Sequence, residues 1–533
     1  MLIIRLNTSE LQASNFPEIM YPLLFTSCLL LLPLLLIFFR FPTGLSRRRR
    51  RRSYKLPPGP KPLPIVGNLL NLSRLPHISL LHLSKQYGPL MYLKLGQIPT
   101  IIASSKETAF EILKTQDLIF CTRPETIVFS KFSYGGLDMA FSPFNDHWKQ
   151  LRKFFIADVF NPRKIQSFRR IREEEVGILM NTITRISSSR KLINFTDMAL
   201  CLFNNIIYRE VFGKRLSADG ECGASPHHDM IMMAVSFMGG FTVSDFFPSF
   251  WWADFLTGSR MKLQRCFRMM DELYEKEIEE RWVSIERLGR SPPQDILDVL
   301  LLCLVQKNPL LGFLLSRNEV KALLLDMFFG GTVTTALTTV WGMTELMRNK
   351  EAMKKAQDEV RQVVGNKGKV EEDDLKQLHY LKMVIKETLR LHPAAPLLGA
   401  RECMKDTKIN GYDIPAKTRV MVNISCMSRD PELWPDDAEI FKPERFENSS
   451  VDYKGNHIEF IPFGSGRRIC PGFALGLAGV EIGLANVLYR FDWTLPEGME
   501  GKDIDMREHF GIGVTKKTPL MLMANPVKFE GRI

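Results

Sequence analysis

Twenty-one consecutive uncharged residues, Ile19 to Phe39, set the first limit on how this chain can fold. Roughly 20 apolar helical residues span the core of a bilayer, so the stretch reads as a membrane span and not as part of a soluble core. Arg40 and the run Arg47 to Arg52 follow it directly. Basic residues at one end of a span hold that end in the cytosol, and with it everything that follows. The same arginines can also rest on anionic headgroups of the lipid bilayer. A cleaved secretory signal would carry its positive charge before the apolar run, where only Arg5 stands beside Glu10 and Glu18. The expectation is a short lumenal N-terminus over residues 1–18 and a retained, single-pass anchor over 19–39.

The formal charge of +12 raises nucleic acid as a partner, but residues 1–55 hold nine basic and two acidic side chains and supply +7 of it. What remains is an ordinary surface charge, so no nucleic acid is expected. Nine cysteines at irregular spacings, without a close pair, read as reduced thiols and not as a disulfide framework. Pro57, Pro58, Pro60, Pro62 and Pro64 exclude helix, since each fixes φ and removes an amide donor. Residues 40–64 therefore form a stiff, extended connector. No repeat or second linker follows, which leaves residues 65–533 as one cytosolic domain.

Ser316-Arg317-Asn318-Glu319 has the form of a capping box, and no proline interrupts the chain from there to Arg348. A helix over that span is about 50 Å long, enough to cross the domain. Ala322 to Phe329 is almost wholly apolar. Gly330-Gly331-Thr332-Val333-Thr334-Thr335 then clusters poor helix formers, which points either to a local distortion or to another helix packed closely on the glycines.

The segment richest in chemical signal is Phe463-Gly464-Ser465-Gly466-Arg467-Arg468-Ile469-Cys470-Pro471-Gly472. A lone cysteine is by default a buried structural one. The spacing Phe-x-x-Gly-x-Arg-x-Cys-x-Gly argues instead that Cys470 is the axial ligand of a haem iron. Glycines let a flat macrocycle approach the backbone, amides aimed at sulfur stabilise a thiolate, and arginine pairs with a propionate.

This loop resembles the haem-binding signature of the cytochrome P450 family, and further motifs agree with it in order from about Leu56 to the C-terminus. Glu387-Thr388-Leu389-Arg390 resembles the family's Glu-x-x-Arg, and Pro443-Glu444-Arg445-Phe446 the segment whose arginine completes a structural network of Glu387, Arg390 and Arg445. Trp148 and Arg152 resemble its Trp-x-x-x-Arg, an i,i+4 pair that would send an indole N–H and a guanidinium toward one propionate; Arg401 resembles another propionate partner. Gly330 to Thr335 resembles the oxygen-binding motif, with Val333 where the family has an acid.

The resemblance implies a mostly α fold with smaller β-sheets and a heme b (iron-protoporphyrin IX) held on Cys470, with Phe463, Gly466, Gly472 and Arg468 around it. It implies catalytic roles at Gly331 and Thr334, the threonine keeping dioxygen hydrogen-bonded, and puts the proton relay at Val333 in doubt. Electrons would come from NADPH through NADPH-cytochrome P450 reductase, with cytochrome b5 as a further partner, docking near Arg467 and Arg468. The anchor and hinge resemble those of plant microsomal members, which implies the endoplasmic reticulum membrane. Substrate contacts are expected within 125–147, 328–335, 394–399 and 511–515, at Phe328, Ala394, Ala395, Leu397, Leu398, Ile512 and Val514. Such a small, apolar lining suits a lipophilic specialised metabolite, whether terpenoid, alkaloid or phenolic. Hydroxylation is the expected outcome. Oxygen-independent isomerisation or dehydration, and a haem protein without enzymatic activity, are the alternatives.

Overall fold

The computed structural model describes residues 54–216, 242–288, 293–511 and 513–528, together with 230, 233, 234 and 237. The expected lumenal N-terminus, membrane span and arginine run, and Ile512, lie outside the described residues. Helix dominates and the sheets are small. The elements that frame the central cavity are, in chain order, β1 (Leu90–Leu95), β2 (Ile98–Ala103), α1 (Asp146–Phe154), α2 (Arg169–Ser188), α3 (Phe195–Phe212), α4 (Arg317–Arg348), α5 (His379–Leu391), β3 (Arg401–Glu402), β4 (Arg419–Val422) and α6 (Phe473–Arg490).

The largest sheet runs β1–β2–β4–β3, antiparallel except where β2 meets β4. The described part of the proline-rich connector holds no helix and is docked on this sheet. Tyr92 N donates to Pro58 O at 2.9 Å, and a Cβ on Gly59 would lie 2.0 Å from Tyr92 O, so only glycine fits there. The compact body accordingly begins at Lys55, earlier than the expected residue 65.

α4 is capped as its sequence proposes: Ser316 Oγ accepts from Glu319 N at 3.2 Å, and the Glu319 carboxylate accepts from Ser316 N. The helix then continues unbroken to Arg348. The glycine–threonine cluster does not break it, and its hydroxyls bond back within the helix: Thr334 to Gly330 O at 2.6 Å, Thr338 to Thr334 O at 2.9 Å and Thr339 to Thr335 O at 3.0 Å.

Close packing is what the glycines serve. A Cβ on Gly331 would fall 2.5 Å from Ile207 Cδ1, and one on Gly479 of α6 would fall 3.0 Å from the Phe203 ring. α3 is thus seated in a groove between α4 and α6 whose floor is glycine. Two apolar clusters flank this groove, one joining α2, α3, α5 and α6, the other joining α1 and α3 to the N-terminal half of α4.

Candidate active site

A cavity of about 340 Å³ lies among α3, α4, α6 and the loop 462–473. α4 presents Met327, Gly330, Gly331, Thr334, Thr335 and Thr338 to it, a stripe at the helical period. Cys470 lines the same cavity. The residue is partly exposed, and its amide donates to Phe463 O at 2.9 Å, which closes the loop on itself. Burial pushes the thiol's pKa up, while the amide of Gly472, the charge of Arg152 and the amide of Phe473 favour the thiolate.

The loop's glycines have separate tasks. Gly466 sits at φ +70°, and a Cβ there would meet Leu113 O at 2.3 Å, so it serves the turn and the packing against 111–117. Gly472 is backed by the Phe160 ring at 3.4 Å. Packing thus requires glycine at 466, whereas Gly472 lines the cavity and a Cβ there would make only an ordinary contact with Phe160.

Four guanidiniums line the cavity: Arg123, Arg152, Arg401 and Arg468. Arg152 Nη2 donates to Ile469 O at 2.5 Å, Arg401 to Asp117 Oδ1 and Ser465 O, both at 2.9 Å, and Arg468 to Cys121 O and Ser142 O, both at 2.7 Å. Burial lowers the pKa of all four; the charges of Arg401 and Arg152 lower that of Arg468 further, to about 9. So crowded a cationic edge favours anionic ligands. Arg123, whose Nη1 donates to Ala400 O at 2.8 Å and to Gly399 O, was not anticipated from the sequence. Trp148 behaves differently from expectation. Its indole N–H is spent on Met139 O at 2.8 Å, and its ring carries the Arg468 guanidinium at 4.0 Å, so it orients an arginine instead of facing the cavity.

On α4, Val333 is turned away from the cavity into the apolar core and is buried. The missing acid is therefore not missing from the cavity wall, since this position does not reach it. Gly331 abuts Ile207, whereas a Cβ on Gly330 would meet nothing within 4 Å, so Gly330 provides the free space. Thr334 is in the wall.

Of the expected substrate positions, Ala394, Ala395 and Leu398 line the cavity. Phe328 does not. Its ring packs with Tyr208, Phe212 and Tyr274, because it lies about 100° around the helix from Met327. Leu397 belongs to a cluster with Leu80 and Met91. Val514 is fixed by its backbone, N to Ala394 O at 2.9 Å and O to Trp341 Nε1 at 3.2 Å.

Asp326, hidden in an apolar run, also lines the cavity. Its Oδ2 accepts from Met139 N at 2.7 Å and Ala140 N at 3.3 Å, and its Oδ1 is buried without a hydrogen-bond partner. Burial first, then the Asp138 charge, raises the Asp326 pKa well above the carboxylate range.

Behind the loop, Glu387 receives Arg390 and Arg445. The Arg445 Nε bond to Glu387 Oε1 is 2.8 Å, and both Arg390 and Glu387 side chains are wholly buried. Arg390 Nη1 also donates to Ala438 O at 2.7 Å, which ties α5 to the segment before the cysteine loop.

These residues fit a haem. The thiol of Cys470 offers a ligand, the four arginines offer partners for two propionates, and Gly330 leaves room on the opposite side. A family model for cytochrome P450 matches residues 57–523. Cytochrome P450 71A1 of Persea americana is 48% identical, over 86% of this chain and 91% of its own length. Cytochrome P450 71B37 of Arabidopsis thaliana is 46% identical, over 94% and 97%. 5-Epiaristolochene 1,3-dihydroxylase of Nicotiana tabacum is 42% identical, over 92% and 97%. The likeness runs through every element that builds the cavity, and the chain belongs to the cytochrome P450 family of monooxygenases.

Proposed function

We propose that this enzyme hydroxylates a lipophilic plant specialised metabolite at the endoplasmic reticulum membrane, using heme b, dioxygen and electrons passed from NADPH by a membrane-bound reductase. The observation that carries this reading is that Cys470 and Gly330, Gly331 and Thr334 of α4 line one cavity. The bound haem supplies dioxygen activation and attack on an unactivated C–H bond.

The chain's own part is to bind, orient and exclude water. Cys470 holds the metal, with the amides of Gly472 and Phe473 tuning its sulfur. Arg123, Arg152, Arg401 and Arg468 hold the propionates. Thr334 spends its proton on Gly330 O, so its oxygen is left to accept a hydrogen bond from the cavity. Ala394, Ala395 and Leu398 offer the substrate an apolar wall. A relative named as a dihydroxylase supports hydroxylation over rearrangement. Arg467, half exposed beside the cysteine loop, supports docking of an acidic reductase or of cytochrome b5 on that face.

The test is mass spectrometry of membranes holding this protein and a plant reductase, fed pooled plant terpenoids, alkaloids and phenolics with and without NADPH. A product that gains one oxygen only with NADPH is expected. Turnover to an isomer or dehydrated product without NADPH would overturn the reading in favour of oxygen-independent chemistry.

A further inference from the structure

Monooxygenation consumes protons, and the α4 wall offers few sources for them. Val333 faces the core, and Asp326 holds the Met139 and Ala140 amides with its Oδ2 while its Oδ1 stays buried without a partner beside the Asp138 carboxyl. The wall built by α3 is different. Ile207 touches α4 at Gly331, and Glu210 lies three residues on, on the same face of α3 and in the same cavity wall.

Glu210 is wholly buried. Its Oε1 accepts from Arg172 Nη1 at 3.2 Å, but its Oε2 has no partner. Arg172 gives its shorter bonds elsewhere, to Glu372 Oε1 at 2.6 Å and Ile165 O at 3.0 Å. A buried carboxyl oxygen with no donor, in the wall of a cavity, is a place for a proton or for a water.

The charged groups acting on Glu210 are Arg172 of α2 and Glu372 of the segment before α5. α4 and α6 present no charge to the cavity except Asp326. Burial raises the Glu210 pKa to about 7, Arg172 opposes this, and Glu372 adds to it. The group therefore keeps its proton to a far higher pH than an ordinary carboxyl.

We propose that Glu210 is the proton donor of this site, delivering to water in the cavity beside Gly331 and Thr334. The inference rests on the monooxygenase reading above. The Glu210 O–H bond breaks, its proton passes to a cavity water, and that water passes on one of its own. The carboxylate stays paired with Arg172 until a proton from bulk water restores it. No electron moves in this step.

Two measurements on the haem-loaded full chain test it. Infrared difference spectra of the wild type are expected to show a buried carboxylic acid band that titrates near pH 7 and is absent from Glu210→Gln. Oxygen consumption in membranes with reductase and NADPH is expected to fall as pH rises through about 7 in the wild type. In Glu210→Gln it should be flat with pH and at least about ten-fold slower, with recovery in Glu210→Asp. A wild type with no carboxylic acid titrating between about pH 6 and 8, or a Glu210→Gln profile matching the wild type, would overturn the proposal. Failure of the monooxygenase reading is separately visible as turnover that ignores NADPH, and the infrared titration stands apart from turnover.

Discussion

Arg390 meets Glu387 through two parallel bonds, Nε to Oε2 at 2.7 Å and Nη2 to Oε1 at 2.8 Å, with neither side chain reaching solvent. Arg445 joins the same carboxylate. Removing Glu387 strands two buried guanidiniums, whereas the network intact is close to neutral for stability. Glu387→Ala is expected to cost about 3–5 kcal/mol. The check is thermal unfolding together with the yield of haem-loaded protein, both of which should collapse.

Gly330 and Gly331 are adjacent in sequence but should respond oppositely to a methyl group. Gly331→Ala collides with Ile207 at the crossing of α3 and α4 and is expected to destabilise by about 1–3 kcal/mol. Gly330→Ala projects into open cavity. It should leave thermal unfolding nearly unchanged and weaken substrate binding, read as a smaller substrate-induced change in the haem spectrum.

Val333→Asp should not improve the coupling of NADPH use to product. The new carboxylate would be buried among apolar neighbours with no partner at hand, so lost stability is the expected result, by more than about 2 kcal/mol. Chemical denaturation and the ratio of product to NADPH consumed check both parts.

Asp326→Asn keeps an acceptor for the Met139 and Ala140 amides and can donate to Asp138, so its stability should stay within about 1 kcal/mol of wild type. Asp326→Leu leaves both amides unsatisfied and should cost about 2–4 kcal/mol. Denaturant unfolding of the two variants separates these cases.

Glu210 also links stability to pH. Its folded pKa of about 7 exceeds the ordinary carboxylate value of about 4.3, so the folded chain binds the proton more tightly than the unfolded one. The contribution is complete below about pH 4 and is lost as pH rises through about 7. Stability relative to Glu210→Gln should therefore fall by up to about 4 kcal/mol over that window, measured by denaturant titration at several pH values.

Spacing was a reliable guide wherever the chemistry is local. The Cys470 loop, the Ser316 cap and the Glu387–Arg390 pair each sit within a few residues of chain, so their geometry is nearly written in the motif. Direction around α4 was also recoverable in principle, since Met327, Gly330, Gly331 and Thr334 share a stripe that leaves out Phe328 and Val333. Arg123 had no such signal, because its partners Gly399 and Ala400 are distant in sequence. The same holds for the indole N–H of Trp148, which is donated to Met139 O, and for Glu210, whose burial depends on how α3 is seated between two other helices. Leu397 and Val514 follow loop paths set by backbone bonds to which hydropathy is blind.

The crowding of Arg123, Arg152, Arg401 and Arg468 has a consequence for the life of the protein in a cell. Charges that lower one another's pKa tax the folded chain, and a dianionic ligand removes the tax while binding only the folded form. Polypeptide made faster than haem is supplied will thus be the fraction that chaperones hold and proteases clear. The abundance of this enzyme is therefore expected to follow tetrapyrrole supply as well as its own synthesis.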